Sequence, residues 1–268
     1  MREKIVQEKI KIIANQRISK EYFKITLRSL KIASWAHPGE FIEIKIADSY
    51  TPLLRRPFSL HRVRDNKIEI LYQVVGKGSE ILSQKKAGKY LDVIGPLGSG
   101  FTYQAASRKP QAAILVAGGM GVAPLLFLSE QIARLKTKNQ ELKTTILIGV
   151  KTKSQILCEK EFKKLGCTVK ISTDDGSRGF RGKVTGLLKN LLSTVDCRLS
   201  TVYACGPRLM LKEISAISKQ YKIPAQVSLE EHMACGIGVC LGCVVKTKNG
   251  FQRVCKEGPV FNAQEIIW

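Results

Sequence analysis

The chain has 268 residues and 44% hydrophobic content, enough for two domains of ordinary size plus a small module, which excludes a disordered ground state. Its formal charge of +22 comes from 44 Lys and Arg against 22 Asp and Glu, but the basic residues are spread along the whole chain without a K/R-rich block or aromatic stacking stripe. A solvated basic surface is therefore expected, with neither nucleic acid nor membrane as partner, although an acidic protein or anionic nucleotides could exploit the same field.

The first nine residues hold no apolar stretch that could serve as a signal peptide, so a cytoplasmic location and reduced thiols are expected. From Lys4 to Leu97 the chain shows short β-rich runs punctuated by Gly and Pro: Ile10 to Ala14, Tyr22 to Arg28, Phe41 to Ile46, Phe58 to Val63, Lys67 to Val75 and Leu91 to Ile94. This spacing predicts a small antiparallel barrel. Within it, Arg56-Pro57-Phe58-Ser59 places a guanidinium, a rigid Pro and a short hydroxyl on one strand, able to pair a pyrophosphate through Arg56 and present Ser59 to a ring nitrogen. The same tetrapeptide could be an ordinary strand start. Gly76-Lys77-Gly78-Ser79 reads as a Gly-rich turn opening a helix over Ser79 to Lys85, either a phosphate cradle or a plain cap.

Tyr103 to Gln111 is polar and reads as a linker, after which strands and helices alternate. Ala112 to Ala117, Thr144 to Val150, Thr168 to Ser172 and Ser200 to Ala204 read as strands. Helices are expected at Ala123 to Leu135, Glu159 to Leu165, Thr185 to Leu192 and Arg208 to Tyr221. That series predicts a parallel sheet covered by helices. The uncharged run Gln111 to Ser129 approaches the length of a membrane span, but Gly118, Gly119, Gly121 and Pro124 interrupt it, and a strand turning into a buried helix explains it better.

Two strand ends in this region carry the nucleotide signal. Gly118-Gly119-Met120-Gly121 turns tightly into a helix with Pro124 in its first turn, as a diphosphate site requires, although it is not the G-x-G-x-x-G fingerprint. Cys205-Gly206-Pro207 places a thiol at the carboxyl edge of the sheet, where ligands of open α/β folds bind; alternatively Cys205 is a small buried hydrophobe. Thr173-Asp174-Asp175-Gly176 follows another strand, and Asp175 could accept bonds from ribose hydroxyls while repelling a 2′-phosphate, which favours NAD over NADP; Lys151, Lys153 and Arg178 lie near enough in sequence to argue the reverse. Asp-Gly is also a plain turn signal. His37, His61 and His232 have no metal spacing among them, and His61 could lie near a ring system bound by the preceding strand.

The stretch from Ser228 to Trp268 holds Cys235, Cys240, Cys243 and Cys255 in the order C-x4-C-x2-C-x11-C, with Gly236, Gly238 and Gly242 between them. Four thiolates hold a [2Fe–2S] cluster, and small residues let backbone N–H groups approach its sulfurs. Structural zinc also uses four cysteines, commonly as two C-x2-C pairs, of which only one is present here. The resulting division is 1–105 for the barrel, 106–227 for the nucleotide domain and 228–268 for the cluster module.

The order R-P-F-S and G-x-G-S, then G-G-x-G-V-A-P, then C-G-P, resembles the ferredoxin reductase superfamily over nearly the whole chain. With the cysteine segment it is similar to the electron-transfer subunits of type B dihydroorotate dehydrogenases. The resemblance implies FAD on Arg56, Pro57, Phe58, Ser59, Leu71, Tyr72, Gln73, Gly78 and Ser79. It implies a pyridine nucleotide in the α/β domain, where the strand-end reading puts NAD at Gly118, Gly119, Gly121, Asp175, Cys205, Gly206 and Pro207, and one [2Fe–2S] cluster on the four cysteines. It further implies an FMN-containing catalytic subunit that oxidises dihydroorotate in pyrimidine biosynthesis, in a heterotetramer of two copies of each chain. No dihydroorotate site is apparent in this chain, and no acid or base is assigned a catalytic role. Similar subunits serve ferredoxin:NADP oxidoreductases and sulfhydrogenases. A zinc-containing nucleic-acid-binding module is the reading from another class.

Overall fold

The computed structural model describes residues 5–103, 112–135, 143–194 and 200–268. The predicted linker, apart from Tyr103, lies outside them. In chain order the first part comprises β1 (Val6–Arg17), β2 (Tyr22–Arg28), α1 (Leu30–Trp35), β3 (Phe41–Lys45), β4 (Arg56–Ser59), β5 (Arg62–Arg64), β6 (Lys67–Gln73), α2 (Lys77–Ser83) and β7 (Tyr90–Leu97). The strands form one antiparallel sheet in the order β4-β3-β7-β1-β2-β6-β5, and β4 also lies against β6, so the sheet curls toward closure. Alternating Ile10 and Ile12, Ile25 and Leu27, Ile68 and Ile70 fill its interior, each contributing roughly 1.5–3 kcal/mol by burial.

One predicted strand, Phe58 to Val63, is two. The Leu60 N–H donates to the Glu40 carbonyl at 3.0 Å, whereas the His61 N–H donates to the Glu69 carbonyl at 2.9 Å. The chain therefore changes partner strands between adjacent residues and turns a corner without a Gly or Pro. Helix α1 is an addition to the predicted elements; Ser29 caps it by accepting the Ile32 N–H at 3.1 Å.

The second part comprises β8 (Ala112–Gly118), α3 (Val122–Arg134), β9 (Lys143–Val150), α4 (Glu159–Lys164), β10 (Thr168–Thr173), β11 (Phe180–Arg181), α5 (Val184–Thr194), β12 (Ser200–Cys205), α6 (Arg208–Gln220) and β13 (Ala225–Ser228). The uncharged run is thus strand β8 followed by helix α3, and no helix among the described residues is long and apolar enough to cross a membrane. The strands are parallel in the order β11-β10-β9-β8-β12-β13. Alternation sends Leu115, Ala117 and Cys205 toward α3 and α4, and Val116, Leu147 and Ala204 toward α5 and α6.

Helix α3 is shared property of sheet and barrel. Phe127 packs into the barrel core, Glu130 accepts from Arg62 Nε at 2.8 Å and Arg64 at 3.1 Å, and His61 Nδ1 lies 2.9 Å from the Ala123 carbonyl. Burial holds His61 down at about 4, with the Ala123 contact opposing, so the ring is neutral at pH 7 and its role is this junction.

The last part adds β14 (Val244–Thr247), β15 (Gly250–Arg253) and β16 (Val260–Asn262). β14 and β15 form a hairpin, while β16 pairs antiparallel with β13 as the edge of the parallel sheet. Ser99, just beyond β7, also bridges Pro259, so this segment touches barrel and sheet together.

Candidate functional site

Three strand ends and one loop converge on the junction between barrel and sheet. On the barrel, the predicted residues of β4, β6 and α2 are brought together. The Phe58 and Tyr72 rings meet edge on at 5.7 Å. Gly78 has no side chain where Arg56 passes; a Cβ there would stand 3.2 Å from Arg56 Nε. The guanidinium thus lies across the start of α2, whose first amides have no preceding carbonyl to bond, and cation and helix start together suit a phosphate. Among the described residues the Ser59 hydroxyl makes no hydrogen bond, leaving it available to a ligand. Ser79 Oγ is engaged in the turn, accepting from the amides of Val75 at 2.9 Å and Gly76 at 3.2 Å. Leu71 and Tyr72 are core side chains; the Tyr72 hydroxyl donates to Asn15 at 3.0 Å, and burial pushes it up to about 12. Gln73 bonds Glu21 at 3.0 Å.

In the sheet, the chain lays β9 and β10 on one side of β8 and β12 on the other, so the order reverses between β8 and β12. Open α/β sheets bind ligands outside the strand ends at such a switch point. Gly118, Gly119 and Gly121 face Cys205, Gly206 and Pro207 there: Ala117 and Cys205 are in register, and a Cβ on Gly118 would stand 2.7 Å from Pro207 Cδ. A Cβ on Gly121 would collide with the Cys205 carbonyl. Gly119 is different, with φ +53° and nothing within 4 Å of its missing side chain. Cys205 is buried; burial pushes its thiol well up, Glu230 adds to that and Ser228 opposes it, so it stays protonated and acts as an apolar surface on the side facing α3.

Asp175 stands exposed beyond β10, two strands from the glycine turn. Its Oδ1 accepts the Ser177 N–H at 2.9 Å, which with the Ser177 hydroxyl holds its carboxyl below the usual range. Arg178 is committed to Glu159 at 2.8 Å, while the side chains of Lys151 and Lys153 are exposed on the neighbouring turn.

The four cysteines fall into two pairs along the chain: Cys235 and Cys240 lie on one loop, and Cys243 and Cys255 are joined across the base of the hairpin, where the Val254 N–H donates to the Cys243 carbonyl at 3.0 Å. Four thiols on one small module, with backbone N–H groups aimed at their sulfurs, suit a two-iron cluster held by two cysteines per iron. Val239, Gly242 and Cys255 direct backbone N–H groups at Cys235, Cys240 and Cys243 sulfurs at 3.4, 3.5 and 3.4 Å. Partial burial opposes ionisation of Cys235, but the amides of Cys240, Ile237 and Val239 outweigh it and bring the thiol down to about 6. Cys243 and Cys255 are buried in one apolar cluster with Phe41 and Leu97 of the barrel, whereas Cys240 is exposed. The same module exposes Ile237, Leu241 and Val244, with Val239 at 74% exposure and Phe251 at 75%, and Leu241, Val244 and Phe251 line one pocket.

Three contributors were not identifiable in the sequence. Glu43 of β3 is fully buried with both carboxylate oxygens unpartnered. Burial, opposed by Arg55, raises it to about 7, with Cys235 adding to the rise and Arg56 opposing. Its register neighbour is Pro57 of β4, and a Cβ on Gly236 would stand 2.5 Å from its Cγ, so the cysteine loop rests on the strand beside Arg56-Ser59. The others are Arg253 and Glu257, which bond each other below the loop. No spacing marks these three; only the fold brings them to the cysteines.

Comparison with known proteins gives a consistent result. Residues 230–267 match the iron–sulfur cluster binding domain of dihydroorotate dehydrogenase B, and residues 115–216 match the oxidoreductase NAD-binding domain. The chain is 40% identical over 265 residues to the dihydroorotate dehydrogenase B (NAD(+)) electron transfer subunit of Desulforamulus reducens, covering 96% of this chain and 97% of that protein. It is 37% identical over 257 residues to the subunit of the same name from Fusobacterium nucleatum, covering 94% and 95%. Among solved structures, an NADH-dependent reduced ferredoxin-NADP oxidoreductase superposes with a TM-score of 0.82 at 27% identity, covering 97% of this chain and 90% of that one. The ferredoxin reductase in carbazole 1,9a-dioxygenase shares the fold, with a TM-score of 0.67 over 82% of this chain and 67% of its own.

Proposed function

The chain belongs to the family of dihydroorotate dehydrogenase B (NAD(+)) electron-transfer subunits, and from that premise we propose that it carries electrons from a catalytic partner through a [2Fe–2S] cluster and FAD to NAD. The observation that carries the reading is Glu43: one strand that pairs with the Arg56-Ser59 strand also seats the cysteine loop, which sets the two redox sites side by side.

When bound, the flavin supplies the conversion between single electrons from the cluster and a hydride for the nicotinamide. Everything else is positioning by this chain. Arg56 and the start of α2 hold the flavin pyrophosphate, and the free Ser59 hydroxyl addresses the ring near N5. Gly118, Gly119 and Gly121 receive the NAD diphosphate at the switch point, with Cys205, Gly206 and Pro207 forming the nicotinamide wall. Asp175 receives the ribose. The protonated Cys205 offers packing without a charge that would repel or attack the ring. Cys235 with Cys240, and Cys243 with Cys255, hold the two irons.

The exposed apolar side chains of this module, Val239, Leu241, Val244 and Phe251, form the docking face for the catalytic subunit. Exposed apolar side chains gathered on one small module mark an interface, and Val239 and Leu241 flank Cys240, the exposed one of the four cysteines. The partner carries FMN and oxidises dihydroorotate in the cytoplasm, and the assembly holds two copies of each chain. An anaerobic absorption spectrum of the purified chain tests the reading: flavin bands with an iron–sulfur shoulder that bleach on NADH are expected, and a colourless protein overturns it. Phe251→Asp should leave that spectrum intact while weakening co-elution with the catalytic subunit.

A further inference from the structure

Arg253 occupies a position between the two cysteine pairs that the electron-transfer role alone does not explain. Its carbonyl accepts the N–H groups of Lys256, Glu257 and Gly258 at 3.1, 3.0 and 3.2 Å, which wraps the turn that holds Cys255. Its side chain works on the other pair. Nη1 donates to the Gly238 carbonyl at 2.7 Å, fifteen residues away and midway between Cys235 and Cys240. Gly238 has φ +80°, and the loop around it aims the Val239 amide at the Cys235 sulfur. One residue thus ties both cysteine segments into a single frame.

The guanidinium does not lie there alone. Nε donates to Glu257 Oε2 at 3.0 Å, Nη2 bonds Glu257 Oε1, and the Arg253 N–H donates to Glu257 Oε2 at 2.7 Å. These bonds join a cation to a carboxylate, and the backbone sets them beside the second cysteine pair: Arg253 is the register partner of Val244, next to Cys243, and lies two residues before Cys255. Charge and hydrogen bonds near cluster sulfurs are the levers that set a cluster's potential.

We propose that Arg253 is a positioning residue that raises the reduction potential of the cluster, by fixing the amide-bearing loop through the Gly238 carbonyl and by standing as a cation beside the Cys243 and Cys255 pair, with Glu257 limiting the effect. The proposal rests on the cluster assignment above. An added electron places negative charge on the cysteine-bound irons; a fixed cation nearby favours that state, and its partner carboxylate disfavours it.

The test is an anaerobic redox titration of the purified full chain, following the cluster by electron paramagnetic resonance and the flavin by absorbance, with iron and sulfide assayed. Arg253→Gln should make reduction of the cluster roughly tenfold harder at fixed solution potential, about 59 mV for one electron. Glu257→Gln, whose amide oxygen can still accept the Arg253 N–H, should shift the midpoint the opposite way. The flavin midpoint should stay in place in both. Opposite signs are the signature, because loosening of the loop alone would move both variants in one direction or change only occupancy. If Arg253→Gln fails to hold its cluster, Glu257→Gln decides: a positive shift supports the proposal, and an unchanged or more negative midpoint overturns it. Wild-type midpoints in both loaded variants overturn it while leaving the cluster assignment standing, whereas a wild-type chain without iron and sulfide overturns both.

Discussion

The glycine-rich turn at the switch point and the one in the cysteine loop look alike in sequence and differ in what their glycines do. At the switch point, Gly121 is a packing requirement, because the Cys205 carbonyl occupies the space a side chain would need. Its neighbour Gly119 faces open space with a positive φ, so packing does not demand it and the proposed nucleotide site would. In the cysteine loop, Gly236 and Gly238 combine both demands: φ values of +68° and +80°, with Glu43 and Lys256 side chains where a Cβ would stand. Backbone cannot yield, whereas a side chain partly can. Glycine content alone therefore marks a turn, and the identity of the neighbouring atom says whether the turn holds the fold or a ligand.

The difference can be tested by adding one methyl group at each place. Gly121→Ala should have the largest effect, destabilising the protein by about 3 kcal/mol or more through overpacking against backbone; a urea midpoint equal to that of the wild type would refute the packing account. Gly236→Ala should cost about 2 kcal/mol, from the positive φ and the contact with Glu43. Iron content should fall with it, and Glu43→Ala in the same chain should restore part of the loss; no recovery would mean that φ alone sets the cost. Gly119→Ala should cost about 1 kcal/mol from its φ, yet raise the KM for NADH severalfold, a separation of stability from binding that neither other glycine should show.

Smallest of all is Asp175→Ala. The side chain is exposed and its bonds are local, so thermal stability should stay unchanged while the preference for NADH over NADPH falls. Unchanged preference would remove Asp175 from the ribose site and return attention to Lys151 and Lys153.

Much of this was legible in the chain itself. The R-P-F-S strand, the G-G-x-G turn and the C-G-P strand end lie where pattern placed them, because each combines a local conformational demand with a chemical one. The cysteine spacing carried the metal signal for the same reason. Less visible was the corner at Leu60 and His61, since it is made by a switch of hydrogen-bond partners within an apolar run that no turn residue interrupts. Glu43 was invisible for a different reason: it is a polar residue on a strand whose other members read as ordinary core, and its meaning depends on a loop some 190 residues later. Arg253 and Glu257 carry no spacing that ties them to the cysteines until the fold shows what they hold.

Residues 258–262 connect all three parts of the molecule at once. The Gly258 carbonyl accepts the Ser99 N–H at 2.5 Å on the barrel, and Val260 to Asn262 zip onto Ser228 to Gln226 as the last strand of the parallel sheet. Mechanically that makes the segment a cross-brace, so the spacing between the redox sites is carried by main-chain geometry rather than by the length of a flexible tether. A chain cut before Gly258 would bare the edge of β13 and leave α3 to hold barrel and sheet together without this brace, so the cysteine segment cannot be shed as a cassette.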